Sequence, residues 1–537
     1  MTTTTDARST APVTAPPVTG SPVPALHGDI VDLGGSTVVD AIARHAREHP
    51  DRAALFPGDQ GVQSYGELWD HASRLAAALA DAGVREGDQV AIWATRSAPV
   101  VAAAVAAMAL GAAYLPIDPT YPAARVRRIL EVGDPRVMVC ADAASLAGSL
   151  PRGLGTVDIH AGPHVAPTLE PVTRQDHVAY TVFTTGSTGL PKGVLVGHRA
   201  LVNYLGWARE LTGFEAEDAT PCFASLGFDH AVTCLWLPLF VGGAVQLVPD
   251  SWDPRPWLAP RERPFAFVKI TPSHVRLFER IAKPDYRAVT RTVMFGGERL
   301  DGALVAGLGE RLDGVALLNH YGPTEATVGC TAYRFDRTGV VGEGALPIGT
   351  PVWNSRAYVV DDELGALAFG EEGELVLGGA CVADGYLGGG ESDRSRFLEE
   401  SAIAGGDDVG GPGSRAYRTG DRVVVRDGVL HYLGRLDEQV KVRGYRIEIT
   451  EVHDLALAVP GVVQAAVAVS QSGLGGLELF VVPEDDRPPT VAAVLEHLRA
   501  NLPAAAVPSK VWVVPELVAN AHGKWDPDAT RSLVEES

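Results

Sequence analysis

The 537-residue chain is short of positive charge, of sulfur and of aromatic rings. Lysine plus arginine number 45 against 66 aspartate plus glutamate, a formal balance of −21 with histidine neutral. Such a surface repels phosphate backbones and anionic lipid, which excludes a general nucleic-acid or membrane-surface binder. A local basic pocket is still compatible with that total. The five cysteines (Cys140, Cys222, Cys234, Cys330, Cys381) are scattered, odd in number and without a CxxC pair. Neither a disulfide framework nor a zinc site is readable from them, and their use suits a reducing compartment. The opening Met-Thr-Thr-Thr-Thr-Asp lacks the basic region and apolar core of a secretory signal, so a cytoplasmic location is expected. One uncharged run, Ala98 to Ile117, matches a bilayer span in length. It is mostly alanine and is broken by Gly111 and Pro116, which predicts a buried helix to about Leu110, a turn and a strand through Tyr114.

What is there in ordinary measure is a globular composition, 46% hydrophobic and 21% charged. Length alone suggests about three or four average domains. Residues 1–28, rich in Thr, Pro, Ala and Val, read as a disordered leader. Helices are predicted over Val38–Glu48, Tyr65–Ala82 and Val100–Leu110, interleaved with strands Gln89–Ala94 and Arg136–Cys140. That alternation implies βαβ units and a largely parallel sheet, continuing to about residue 330. From about Ile348 short β-rich segments follow, part of a small β-barrel-like region, with a glycine- and aspartate-rich surface loop at 405–413. Beyond Gly434 a charged stretch leads into a smaller α+β segment with helices Ile449–Ala458 and Val491–Asn501. The expected organisation is a large α/β domain of stacked βαβ sheets over 29–436 and a small mobile α+β domain over 437–537.

The most informative segment is Tyr180-Thr-Val-Phe-Thr-Thr-Gly-Ser-Thr-Gly-Leu-Pro-Lys-Gly-Val194. An apolar strand feeds a loop of glycines, hydroxyls and one lysine. Glycines let backbone close round phosphate oxygens, hydroxyls donate hydrogen bonds and lysine supplies charge. Pro191 before Lys192 excludes a Walker A loop.

Downstream companions decide what the loop is for. Gly111-Ala-Ala-Tyr-Leu-Pro-Ile-Asp118, Phe228-Asp229, Asn319-His-Tyr-Gly-Pro-Thr-Glu325, Gly373-Glu-Leu, Tyr417-Arg-Thr-Gly-Asp421, Gly434-Arg-Leu-Asp-Glu-Gln-Val-Lys-Val-Arg-Gly444 and Gly523-Lys524 follow in order. The set resembles the adenylate-forming superfamily, specifically the amino-acid-activating adenylation domains of nonribosomal peptide synthetases. The resemblance implies ATP and Mg²⁺. In it, Thr184, Thr185, Gly186, Ser187, Thr188, Gly189 and Lys192 wrap the β- and γ-phosphates. Glu325 ligates Mg²⁺, and Thr324 lies near the α-phosphate. Tyr321 stacks on adenine with Asn319 at its polar edge, and Asp421, assisted by Arg435, takes the ribose hydroxyls. Lys524 bridges the substrate carboxylate and the phosphate. Asp437 stands at the hinge, about which the small domain turns to exchange Lys524 for the Lys441–Gly444 loop. The terminal motif departs from the family's Asn-Gly-Lys form, reading His522-Gly-Lys-Trp-Asp-Pro527.

The acid that is activated is a matter for the side-chain pocket. By the resemblance, Asp229 after Phe228 pairs with a substrate ammonium; the alternative is a helix cap. The other pocket positions are His230, Thr233, Lys269, Met294, Gly296, His320, Val328 and Gly329, with Lys524. Lys269 interrupts an apolar strand, where it would be half-buried and would call for an anion, or would hold its head in solvent at an edge. His320, Thr233 and two space-giving glycines complete a cationic cup opposite Asp229, resembling aspartate-activating domains; a structural His320 is the competing reading. The rivals are a 3-substituted aspartate, asparagine or a β-amino acid, and, in another class, a non-catalytic adenylate-binding scaffold. Thirteen residues follow Lys524, and Asp32-Leu-Gly-Gly-Ser36 lacks the form of a phosphopantetheine site. A stand-alone enzyme is therefore expected, loading a separate carrier protein; a small activating partner is common in this family, and the need for one is not readable from these residues.

Overall fold

A computed structural model describes residues 24–58, 61–143, 150–185, 191–249, 253–336, 344–403, 414–437, 439–442, 444–470, 476–484, 489–519 and 525–535. The phosphate-loop residues Gly186, Ser187, Thr188 and Gly189, the loop 405–413 and Lys524 lie outside the described residues. The fold is mixed α/β, a large N-terminal domain followed by a smaller C-terminal one.

The predicted alternation produces a seven-stranded sheet. Five of its strands, Val178–Thr184, Ala113–Ile117, Gln89–Trp93, Val137–Cys140 and Gly155–Asp158, run parallel. Lys192–Gly197 and Gly385–Leu387 extend it antiparallel, so the sheet is less uniformly parallel than expected. The alanine-rich run forms helix Ala98–Ala109, buried along nearly its whole length, followed by strand Ala113–Ile117. No described helix is long and apolar enough to cross a membrane. Helices Val38–Glu48 and Tyr65–Asp81 begin at Thr37 and Ser64, each closing a capping box with the acidic residue three positions on.

A second sheet joins Val268–Ile270, Thr292–Gly296 and Ala316–Tyr321 in parallel, with Thr331–Phe335 and Thr350–Pro351 antiparallel beside them. A third, antiparallel sheet is built on Ser355–Val360, Glu372–Gly379 and Arg415–Arg426. Ala25–His27 pair with Ser355–Val360 at its edge, so the final residues of the expected leader are not disordered. The exposed edge of a sheet supplies the hydrogen bonds that composition alone does not show. The smaller domain packs helices Ile449–Leu457 and Val491–Asn501 on a three-stranded sheet around a separate apolar cluster. Its hairpin, Gln439–Val442 with Tyr445–Glu448, reaches back to the large domain.

Candidate active site

The site forms where the C-terminal ends of parallel strands meet the hairpin, the usual place for ligands in open α/β sheets. A cavity of about 380 Å³ is lined by Asn319, Tyr321, Tyr432, Arg435 and Lys441. Tyr321 donates its hydroxyl proton to Asp421 Oδ2, and Arg435 donates to Asp421 Oδ1 at 2.7 Å. The Asn319 amide nitrogen is committed to the carbonyls of Leu346 and Pro347, at 3.3 and 2.7 Å. Arg435 also grips both oxygens of Asp437 at 2.7 Å, and Arg396 reaches the same carboxylate at 2.9 Å. Burial works to raise the Asp437 pKa, but the two guanidinium groups outweigh it and hold the carboxyl well below its ordinary value.

Phosphate-side groups converge below this cavity. The Thr184 hydroxyl oxygen is buried without a partner among the described residues. Thr185 donates to the Arg446 carbonyl at 3.3 Å. Lys192, buried, donates to Asp393 at 2.9 Å and lies 4.5 Å above the Tyr386 ring. Glu325, 0% exposed, accepts from Tyr386 at 2.5 Å and from Arg446 of the hairpin at 2.7 Å. Lys192 Nζ stands 3.9 Å from the same carboxylate. Burial pushes the Glu325 pKa up, yet Arg446, Lys192 and Tyr386 together bring it down to about 2. In this arrangement the carboxylate expected to face a metal is thus occupied by an arginine of the small domain. The donor set fits a phosphate–metal group nonetheless: an orphaned hydroxyl, a buried ammonium and an ionised carboxylate whose arginine belongs to a separate domain.

The amino-acid side is a cavity of about 300 Å³, bordered by Phe228, Asp229, His230, Lys269, His320 and Val328. Asp229 begins helix His230–Val241 but makes no side-chain cap to it. Its carboxyl accepts from Thr324, and burial raises its pKa more than that bond and Lys269 lower it. A carboxylate in this state gains from a cation. Lys269 is 2% exposed, more deeply buried than half, although its strand is at the edge of its sheet. Its ammonium donates to Thr233 at 2.9 Å, and burial lowers its pKa to about 8.

Four expectations for the pocket are corrected. Burial, with Lys269 and His230 nearby, drives the His320 pKa well below its ordinary value, so the imidazole is neutral and the cup has one cation. A Cβ on Gly329 would lie 1.9 Å from the His320 ring, so that glycine makes room for the histidine, and a Cβ on Gly296 would lie 3.2 Å from the His320 carbonyl oxygen, so that glycine admits the same residue's backbone. The Thr233 hydroxyl is engaged behind the wall, between Lys269 and Tyr204. Met294, fully buried beside Lys269 in the sheet, does not border the cavity.

Arg446, Tyr386 and Tyr204 escaped the sequence reading because their partners are brought together only by folding. The charged stretch after Gly434 was the one usable signal, pointing to the neighbourhood of Arg446. Further links join the domains at the site: Tyr445 meets Phe228 edge-on at 4.2 Å, and Arg125 pairs with Glu451 at 3.2 Å.

Comparison with known proteins bears on the family and the fold. Residues 42–387 match the AMP-binding enzyme family, and residues 451–524 match the AMP-binding enzyme C-terminal domain. The chain is 34% identical over 504 residues to Bacitracin synthase 3 of Bacillus licheniformis, covering 92% of this chain and 8% of that protein. It superposes on an NRPS protein containing adenylation and PCP domains with a TM-score of 0.80 at 25% identity, covering 94% of this chain and 99% of the other. A four-domain nonribosomal peptide synthetase bound to AMP and glycine gives a TM-score of 0.66 at 29% identity, over 94% of this chain and 37% of that one. The chain belongs to the AMP-binding enzyme family. The chain spans less than a tenth of the length of Bacitracin synthase 3; enzymes of the AMP-binding family work with ATP and Mg²⁺.

Proposed function

We propose that the enzyme activates L-aspartate, or a close relative, as its aminoacyl-AMP and passes it to the phosphopantetheine thiol of a separate carrier protein. The observation that carries this reading is one cavity bordered by both Asp229 and Lys269, the sole cation among its described lining residues. An α-ammonium answers the first and a side-chain carboxylate the second. His320 favours the acid over asparagine.

In the first step a substrate carboxylate oxygen bonds to the ATP α-phosphorus. The bond from that phosphorus to the bridging oxygen breaks, and its electron pair leaves with pyrophosphate. Two anions must approach, so fixed cations near the phosphorus lower the barrier. Thr184, Thr185 and Lys192, with the Gly186–Gly189 loop, hold the departing phosphates; Lys524 bridges carboxylate and phosphate. Asn319 offers its carbonyl oxygen to the adenine amine, Tyr321 its ring, and Asp421 its carboxylate to the ribose. Glu325 would hold Mg²⁺, which when bound supplies Lewis-acid charge to the phosphate oxygens.

In the second step the thiolate attacks the acyl carbon and AMP leaves. The hairpin position seen here, with Lys441 5.6 Å from the Tyr321 ring centre and Arg446 on Glu325, suits that step. Asp437 is the proposed pivot, and alternation keeps pyrophosphate and thiol from competing for one space. Trapping with hydroxylamine tests the reading: enzyme, ATP, Mg²⁺ and aspartate should yield aspartyl hydroxamate and AMP by mass spectrometry. Formation of AMP without hydroxamate, or hydroxamate only from non-acidic amino acids, would refute it. A non-catalytic scaffold predicts neither product.

A further inference from the structure

Tyr204 lies on helix His198–Thr212, buried behind the amino-acid cavity and outside its lining. Its hydroxyl has two contacts, Thr233 Oγ1 at 2.5 Å and His320 Nε2 at 3.2 Å. Thr233 Oγ1 in turn accepts from Lys269 Nζ at 2.9 Å. The rings of Tyr204 and His320 meet edge-on at 5.8 Å, and Trp207 covers the imidazole at 6.0 Å. The histidine therefore has little freedom to turn.

Counting protons orients this chain. An ammonium can only donate, so Thr233 accepts from Lys269. The Thr233 proton has one remaining acceptor among the described residues, the Tyr204 oxygen. With the Thr233 proton given to the Tyr204 oxygen, the Tyr204 proton is directed at His320 Nε2, and that nitrogen carries the lone pair. A neutral imidazole with a lone pair on Nε2 has its proton on Nδ1. That nitrogen is beside Gly296: a Cβ there would be 3.5 Å from His320 Nδ1 and 3.7 Å from Lys269 Cε. Lys269 and His320 both border the amino-acid cavity, so in this tautomer its wall carries two hydrogen-bond donors.

We propose that Tyr204 is a positioning residue that selects acid over amide, by holding the proton of His320 on the nitrogen facing the substrate. A carboxylate, which only accepts, satisfies both donors. A carboxamide can answer both donors only with its single oxygen, which leaves its own buried NH₂ group unpaired. The opposite tautomer, with Nε2–H donating to Tyr204, would offer an acceptor and suit the amide. Burial supports the scheme by keeping His320 neutral; the hydroxyl relay is what makes a neutral ring a donor.

The inference rests on the aspartate reading, and its test separates the two. The full chain and its Tyr204→Phe variant, which keeps the ring, are compared in ATP–pyrophosphate exchange with aspartate and with asparagine. The ratio of kcat/KM for aspartate over asparagine should fall about tenfold, the worth of one oriented hydrogen bond, with KM for ATP unchanged. Thr233→Val, which cuts the relay one step earlier, should move the ratio the same way. An unchanged ratio in Tyr204→Phe overturns the proposal while leaving the aspartate reading intact. Wild-type enzyme that exchanges with neither amino acid overturns the reading itself. ¹⁵N–¹H spectra of histidine-labelled wild type, with His320 assigned by its loss in His320→Gln, provide a check that needs no folded Tyr204 variant. They should show Nδ1–H; an Nε2–H or doubly protonated ring would refute the scheme.

Discussion

Replacing Lys269 by methionine keeps the length of the side chain and removes its charge. The ammonium is 2% exposed, and no carboxylate lies within ion-pair distance of it among the described residues. In the unliganded protein it is a buried cation held by one threonine, so its removal should leave the melting temperature unchanged or raised. With aspartate bound, the variant leaves a desolvated carboxylate facing neutral His320. Stranding one partner of a buried pair costs roughly 3–5 kcal/mol, or from about a hundredfold to a few thousandfold in kcat/KM at about 1.4 kcal/mol per factor of ten. KM for ATP should move less than about threefold, since the nucleotide cavity does not include Lys269. Steady-state pyrophosphate exchange, varying each substrate in turn, provides the measurement. Equal losses for aspartate and ATP, or an unaltered aspartate kcat/KM, would refute the reasoning.

The same lysine should set an alkaline limb. Its pKa is lowered to about 8 by burial, so the free enzyme loses the cation as pH rises through that value. The kcat/KM for aspartate should fall there in wild type and stay flat in Lys269→Met. Its effect on stability has the opposite sense: the unfolded chain binds the proton more tightly, so stability should rise with pH between about 8 and 10.5, and thermal melts of the two forms should converge there. Gly329→Ala places a Cβ 1.9 Å from the His320 ring; displaced histidine should weaken aspartate use at least tenfold, and retained discrimination against asparagine would contradict that packing. Arg125 and Glu451 pair across the domains with side chains 5% and 2% exposed. Arg125→Met should therefore slow carrier loading several-fold in an acylation assay while pyrophosphate exchange is kept, and equal losses in both half-reactions would count against a step-specific contact.

The sequence reading succeeded where chemistry is written contiguously. The strand into the phosphate loop, the Asn319–Glu325 run and the helix at Ile449 are local patterns; Thr184 and Thr324 from the first two border one cavity, and the helix packs in the apolar cluster of the smaller domain. It fell short where the outcome depends on what packs behind a residue. Lys269 was identifiable as a lysine in an apolar strand, but its full burial depends on helix His230–Val241 and its threonine. His320 was read as a charge because its residue type allows one; only the surrounding wall makes it neutral. Gly329 was taken for open space, which the histidine ring fills. Ala25–His27 carry no marked pattern of their own and become a strand by completing the edge at Ser355–Val360. Arg446 and Glu325 are 121 positions apart, beyond the reach of any spacing rule.

The central claim is that an acidic amino acid is the one activated. ATP–pyrophosphate exchange across a panel of amino acids, with purified enzyme and Mg²⁺, tests it most directly. Aspartate should give the highest kcat/KM, with asparagine and glutamate well behind and apolar amino acids at background. Exchange driven by a neutral amino acid, with none from any acidic one, would contradict the account.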